Sequence, residues 1–261
     1  MTGEAGRWFR TAEPRPDAAR QLFCFAHAGG GAAFYHRWAA LLPGVEVHAV
    51  QLPGRGERRT EPPHRRTAPL VEAVREALDA ELDGRLYAFF GHSLGALLAY
   101  RVAVATEREG GAGPVLLGVS GWAPERFRPV DALLPLPDGE FAAAVRRFGV
   151  LPAEAGADPE LLALVLPAVR ADLALVADYR DDGARVGCPV VAYGGRSDPT
   201  LEPGGLAEWA TRTPAFLGAG EFPGGHFYLT EHALSVTTDF ARHLQRVSQQ
   251  GQVDTHRKAG R

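Results

Sequence analysis

Gly91-His92-Ser93-Leu94-Gly95 places a serine between two glycines, at the end of an apolar run (86–90) and the start of a helical pattern (94–106). In that strand–turn–helix setting a G-x-S-x-G stretch is the pattern that lifts a serine hydroxyl to the apex of a sharp turn. The two glycines leave room for the turn and for the helix to pack on neighbouring strands. The helix start offers unsatisfied N–H groups to a developing negative charge. The chemistry this predicts is nucleophilic attack by Ser93; the plain alternative is a serine that merely caps a helix.

A nucleophilic serine needs a base and an acid that orients the base. Downstream of Ser93 lie His226, His232, His243 and His256. His226 sits in Gly224-Gly225-His226-Phe227, just past the last strand pattern, whereas His232 and His243 fall on the final helical pattern and His256 near the chain end. The acid candidate is Asp198, in the loop Gly194-Gly195-Arg196-Ser197-Asp198-Pro199; Glu202 is a later alternative in the same loop. Asp181 and Asp182 precede the adjoining strand and so belong at the other end of a sheet. Taken singly, loop aspartates and histidines are ordinary solvated residues. Their order after Ser93 and behind successive strands is that of an α/β-hydrolase triad, so Ser93, Asp198 and His226 are the catalytic candidates.

Such a site also needs two backbone donors for the oxyanion. Leu94, the residue after the nucleophile, supplies one. The glycine-rich stretch Phe25-Ala26-His27-Ala28-Gly29-Gly30-Gly31 suits the other, because glycines let the backbone approach a substrate closely; Ala28 is the donor expected there. His27 then reads as a loop-shaping residue. The stretch lacks the Gly-Lys-Ser/Thr ending of a phosphate loop and the G-x-G-x-x-G spacing of a dinucleotide site, so nucleotide binding is not expected.

The elements that must position these residues alternate along the chain. Apolar runs at 21–25, 45–52, 86–90, 115–119, 189–193 and 215–222 read as strands, and 34–42, 70–82, 94–106, 206–211 and 231–247 as helices. Leu70, Val71, Val74, Ala77, Leu78 and Leu82 form one stripe of the second helix. Uniformly apolar strands between amphipathic helices predict an α/β protein whose mainly parallel central sheet carries helices on both faces. From Pro124 to Tyr179 no strand pattern occurs, only helical stretches at 139–148 and 160–179. That segment, about 124–180, is expected to be a helical lid inserted into a single α/β-hydrolase domain. Residues 1–20 and 248–261 read as peripheral, the latter as a mobile tail.

Composition narrows the class. The chain has 261 residues, 46% hydrophobic and 23% charged, with a net charge of −3. This is enough to bury a core and excludes disorder for the bulk of the chain. It also speaks against nucleic-acid binding, which favours an excess of basic charge. No run approaches a membrane span and no signal peptide is apparent, so a cytoplasmic location, a monomer and no membrane partner are expected. Cys24 and Cys188 lie in or beside apolar runs and are expected as buried free thiols. Arg55, Arg58, Arg59, Arg65 and Arg66 cluster among prolines and acids, which predicts a solvated loop, with a docking patch for an acidic partner as the alternative. No H-E-x-x-H or C-x-x-C pattern suggests a metal.

Several motifs together resemble the type II thioesterases that accompany polyketide synthases and nonribosomal peptide synthetases. They are Phe23-Cys24-Phe25-Ala26-His27-Ala28-Gly29-Gly30, Gln51-Leu52-Pro53-Gly54-Arg55-Gly56-Glu57-Arg58, the Ser93 motif, Arg170-Ala171-Asp172-Leu173 leading to Asp178-Tyr179-Arg180, the stretch from Pro189 to Asp198, and Gly224-Gly225-His226-Phe227-Tyr228-Leu229. The family usually has Pro at Ala26 and often Met at Leu94. The resemblance implies an editing hydrolase that clears stalled acyl groups from the phosphopantetheine arm of an acyl or peptidyl carrier protein. It implies no cofactor of its own, and an acyl chamber formed and gated by the lid. The rival readings are a chain-releasing thioesterase, against which the lack of a linker to a carrier domain speaks, a small-molecule esterase, and a non-catalytic carrier-binding protein.

Overall fold

Each central strand is apolar on both sides, and the two sides divide cleanly. Along Arg20–Phe25 (β2), Phe23 and Phe25 enter one core while Leu22 and Cys24 enter another; along Leu86–His92 (β4), Phe89 and Phe90 divide in the same way. Period-two alternation with no polar face means that helices must cover both surfaces. The first core is closed by Thr67–Glu81 (α2) and Leu94–Arg108 (α3), the second by Trp38–Leu41 (α1) and Leu229–Ala259 (α6). The computed structural model describes residues 7–125, 130–151 and 158–259.

The remaining strands are Phe9–Thr11 (β1), Val45–Val50 (β3), Leu117–Ser120 (β5), Val190–Gly195 (β6) and Phe216–Phe222 (β7). The seven lie in the order β1-β3-β2-β4-β5-β6-β7, all neighbours parallel except the edge pair β1–β3. Strand order reverses between β2 and β4, and in open α/β sheets ligands bind beyond the carboxyl ends of the strands at such a switch point. The Gly-rich loop leaves β2 there and Ser93 leaves β4 there. The mainly parallel sheet with helices on both faces is the fold expected from the sequence.

Between β5 and β6 the regular elements among the described residues are helical: a 3-10 turn, Asp131–Leu133, then Asp138–Arg147 (α4) and Pro159–Asp178 (α5). The expected lid segment falls on these elements, apart from residues 126–129 and 152–157, which lie outside the described residues. Asp158 caps α5 by accepting from the N–H groups of Glu160 (2.9 Å) and Leu161 (3.2 Å).

Three expectations need correction. The amino-terminal segment is not merely peripheral, because β1 pairs with β3 and Trp8 and Phe9 are buried. Three residues are too short for a period to register in the sequence. The helix expected over 34–42 is a 3-10 turn, Ala32–Tyr35, followed by the four-residue α1. Tyr35 explains part of the break, since its hydroxyl is anchored on the Phe25 carbonyl at 2.9 Å. Finally, α6 runs on to Ala259 rather than giving way to a tail at 248. Ser248 is buried, with its hydroxyl donating to the Leu244 carbonyl and accepting from Arg20 Nε. Cys24 and Cys188 are both buried and free, as expected.

Phe240 of α6 is fully buried against Phe90, with ring centroids 5.5 Å apart. Replacing it with alanine is expected to cost about 3–5 kcal/mol in urea unfolding, from lost burial plus the cavity left behind. A loss under about 1 kcal/mol would show that α6 does not seal this face of the sheet.

Candidate active site

Ser93 has φ 56° and ψ −122°, the one positive φ outside glycine among the described residues. Such a backbone costs roughly 1–3 kcal/mol and persists only where the surroundings enforce it. The enforcement is steric. A Cβ on Gly91 would lie 2.1 Å from the Gly95 carbonyl oxygen, and one on Gly95 would lie 2.0 Å from the Phe25 carbonyl oxygen. Both glycines are therefore obligatory: one lets α3 double back on β4, the other lets α3 press against the end of β2. The N–H of Ser93 is held by the Ser120 carbonyl at 2.7 Å, which ties the turn to β5.

Asp198 and His226 meet from the ends of β6 and β7. His226 Nδ1 lies 2.7 Å from Asp198 Oδ2, and both residues are buried. The carboxylate partner assigns the proton to Nδ1 and leaves Nε2 as the basic nitrogen. Thr200 completes the setting. Its N–H (2.9 Å) and its hydroxyl (2.7 Å) donate to the second carboxylate oxygen, and the hydroxyl also lies 3.1 Å from His226 Nδ1. Burial pushes the Asp198 carboxyl up, but the bond and charge of His226 together with Thr200 outweigh it and hold the group below the usual aspartate value.

Ser93, His226 and Ala28 line one cavity of about 250 Å³. Apart from His27 and Thr200 its other walls are apolar, and the helical insertion supplies Val130, Leu133, Val145, Phe148, Val150 and, from α5, Leu173. For scale, an apolar cavity of about 150 Å³ takes up benzene. The Ser93 hydroxyl has no hydrogen bond among the described residues, an open geometry common in unliganded hydrolases. Leu94 opens α3, so its N–H is one of the orphan donors of the first turn; the Ala28 N–H likewise has no acceptor among the described residues.

Two more imidazoles crowd the site. His92 stacks obliquely on His226 with centroids 5.0 Å apart, and His27 lies 6.0 Å from His92 between Phe34 and Phe227. His27 Nδ1 is buried without a partner. Burial, then the neighbouring positive charges of His226 and Arg55, lowers His27 to about 3; burial and the other two imidazoles also take His92 well below the ordinary value. His92 Nδ1 shares a 2.9 Å hydrogen bond with Ser120 Oγ, which shares another of 2.7 Å with Tyr228 OH.

Of the other sequence candidates, Glu202 is exposed, and Asp181 and Asp182 pair with Arg212 and Arg101. His243 stands near Asp239 on α6. The Arg cluster splits. Arg59, Arg65 and Arg66 are exposed, but Arg55 and Arg58 are buried, which corrects the expectation of a wholly solvated loop. Arg58 lies over the Trp8 ring at 4.0 Å and donates to the Gln51 carbonyl. Thr200 and Ser120 escape sequence reading, and Tyr228 stands in a motif there without a role. Thr200 alone carried a local signal, standing two residues after an aspartate where such turns form.

The chain belongs to the thioesterase family: residues 20–247 match the family model described as a thioesterase domain. It is 38% identical over 244 residues to thioesterase PikA5 of Streptomyces venezuelae, covering 92% of this chain and 86% of that protein. It is 31% identical over 247 residues to the gramicidin S biosynthesis protein GrsT of Aneurinibacillus migulanus, covering 94% and 96%. Among solved structures, the type II thioesterase BorB from the borrelidin biosynthetic cluster matches with a TM-score of 0.83 at 37% identity, over 91% of this chain and 98% of that one. The fold is the α/β-hydrolase fold and the chain is a serine hydrolase acting on thioesters, with type II thioesterases of polyketide and nonribosomal peptide systems as its relatives. Among the described residues no helix is long and apolar enough to cross a membrane.

The two neutral histidines beside His226 set a pH dependence of stability. His27 and His92 have folded-state values below the unfolded value near ~6.5, so unfolding takes up protons below that pH. Their contribution is fully present above ~6.5 and is lost as the pH falls toward the folded-state values. At pH 5 the two should add about two protons on unfolding, and His27→Asn should remove about one of them. Urea midpoints measured from pH 7 to 5 check this; equal slopes for the two proteins would contradict it.

Proposed function

We propose that the protein hydrolyses stalled or aberrant acyl groups from the phosphopantetheine arm of acyl or peptidyl carrier proteins, through an acyl-enzyme on Ser93. The observation that carries this reading is the convergence of a strained, cavity-facing Ser93 and an Asp198-bonded His226 on one apolar chamber. Ser93 Oγ attacks the thioester carbonyl while His226 Nε2 takes its proton, and Asp198 holds the imidazole and stabilises the imidazolium. The Leu94 and Ala28 N–H groups receive the oxyanion. The pantetheine sulfur leaves readily as a thiolate, so this step needs little help from a general acid. His226 then passes that proton to the departed sulfur and is neutral again; it next takes a proton from water, which attacks the acyl-Ser93 carbonyl, and returns it to Ser93 Oγ as the acid is released.

The chamber supports the acyl half of the proposal. Its walls are mainly apolar, and such pockets separate substrates differing by one methylene by only about 10–200-fold. Tolerance of that kind suits clearing a variety of short acyl groups. The helical segment between β5 and β6 supplies most of those walls and is proposed to act as the lid. The carrier protein brings the phosphopantetheine, so the reading requires no cofactor held by this chain. It also places the protein in the compartment of its carrier, the cytoplasm.

A panel of acyl-carrier proteins, matched acyl-coenzyme A thioesters and simple esters tests the reading. Carrier-bound acyl groups should be hydrolysed with the highest kcat/KM, and intact mass should trap an acyl adduct on Ser93. Ser93→Ala should lower turnover by roughly four orders of magnitude or more. Equal rates on simple esters would favour a small-molecule esterase instead. Unchanged turnover in Ser93→Ala would remove Ser93 as the nucleophile.

A further inference from the structure

We propose that Arg55 and Asp172 are positioning residues that set the Ala28 N–H and couple it to the wall of the acyl chamber. The proposal rests on the reading of Ala28 as an oxyanion donor. Asp172 lies on α5 and is 1% exposed; Arg55 lies in the turn after β3 and is 9% exposed. Their contact is a two-pronged ion pair, Arg55 Nη1 to Asp172 Oδ2 at 2.6 Å and Nη2 to Oδ1 at 2.7 Å.

What the pair holds is the loop after β2. Asp172 Oδ2 also accepts from the Gly29 N–H at 2.7 Å, and Arg55 Nη1 donates to the Gly30 carbonyl at 3.1 Å. Gln51, from the same segment as Arg55, accepts from the Ala32 N–H at 2.8 Å and donates to the Arg55 carbonyl at 3.0 Å. The polar groups that follow Ala28 are thereby tied down one after another, while the Ala28 N–H itself stays free at the cavity. Gly29, with φ 78°, also packs directly on α5: a Cβ there would lie 2.8 Å from Val169 Cγ2. Leu173, the next residue after Asp172, lines the chamber. A movement of α5 that reshapes the acyl wall therefore also moves the loop that carries the donor.

Energetics favour a geometric role over a merely stabilising one. Burying two charges is costly, and well-packed apolar residues can often replace a buried ion pair without loss of stability. A fork-to-carboxylate pair does, however, fix direction and distance in a way apolar packing does not. An oxyanion donor is sensitive to that, since a misplacement of about 1 Å can cost on the order of 10²-fold in rate.

The test is Asp172→Asn, with Arg55→Lys as a second variant in case the first does not fold. Each is assayed for kcat and KM on an acyl-thioester. Affinity is also measured for two probes, an alkylboronic acid and the primary alcohol of equal chain length. The boronate forms a tetrahedral adduct on Ser93 with an oxygen in the oxyanion position, whereas the alcohol fills only the acyl chamber. Expected is a 10–100-fold loss in kcat with KM within about two-fold, and a matching loss of boronate affinity relative to the alcohol. The double variant should lose little more than the worse single variant, because the two residues act as one unit.

A general loss of folded protein lowers both probes together and leaves their ratio unchanged. An unchanged ratio with unchanged kcat in a folded variant overturns the positioning role. The parent reading fails separately, through retained turnover in Ser93→Ala.

Discussion

The close approach of three backbone segments at the end of β4 governs the rest of the molecule. Gly91 lies against the first turn of α3, and Gly95 lies against the carbonyl at the end of β2, both at distances that no side chain would allow. That contact forces Ser93 to φ 56° and points α3 down the sheet with its first N–H groups at the site. It also brings the loop after β2 alongside the serine. The strain is local, of the order of 1–3 kcal/mol. The sheet opposes it with hydrogen bonds from β5 and with packing on both faces.

α5 has the second organising role, and its residues act at three places. Arg170 donates to the carbonyls of Leu134 and Leu136 and lies over the Phe141 ring, which binds the helical insertion together. Asp172 reaches the Gly-rich loop and Arg55. Asp178 accepts from the Thr67 N–H at 2.8 Å and so caps α2 on the sheet. One helix thus joins the wall of the cavity, the loop beside the serine and the body of the fold.

Three imidazoles within a few ångströms would repel one another if all were charged. The arrangement avoids this by giving one of them a carboxylate. His226 has Asp198, whereas His92, fully buried, and His27, half-buried, have no acidic partner and stay neutral. Their rings, with Phe34 and Phe227, build a largely buried aromatic surround for the proposed base. In such a medium a single ion pair or oxyanion contact carries more weight than it would in water.

Local pattern made the strands, the turn at Ser93 and the order Ser93, Asp198, His226 readable, because strand alternation, glycine at a tight turn and loop placement are properties of a few consecutive residues. The same pattern marks Arg55 as one of five arginines in a solvated loop, and Arg55 and Asp172 otherwise enter only within motifs of the family resemblance, without a role. Neither reading was avoidable. A charge is drawn into a core only by a partner, and here the partner lies 117 residues away on a different element. The three-residue β1 and the Ser120–Tyr228 contact belong to the same class, each depending on a surface that exists only once the sheet has closed. The sequence by itself therefore determined which groups could do the chemistry. The tertiary structure decided what surrounds and holds them, because burial and long-range pairing are set by packing rather than by neighbours in the chain.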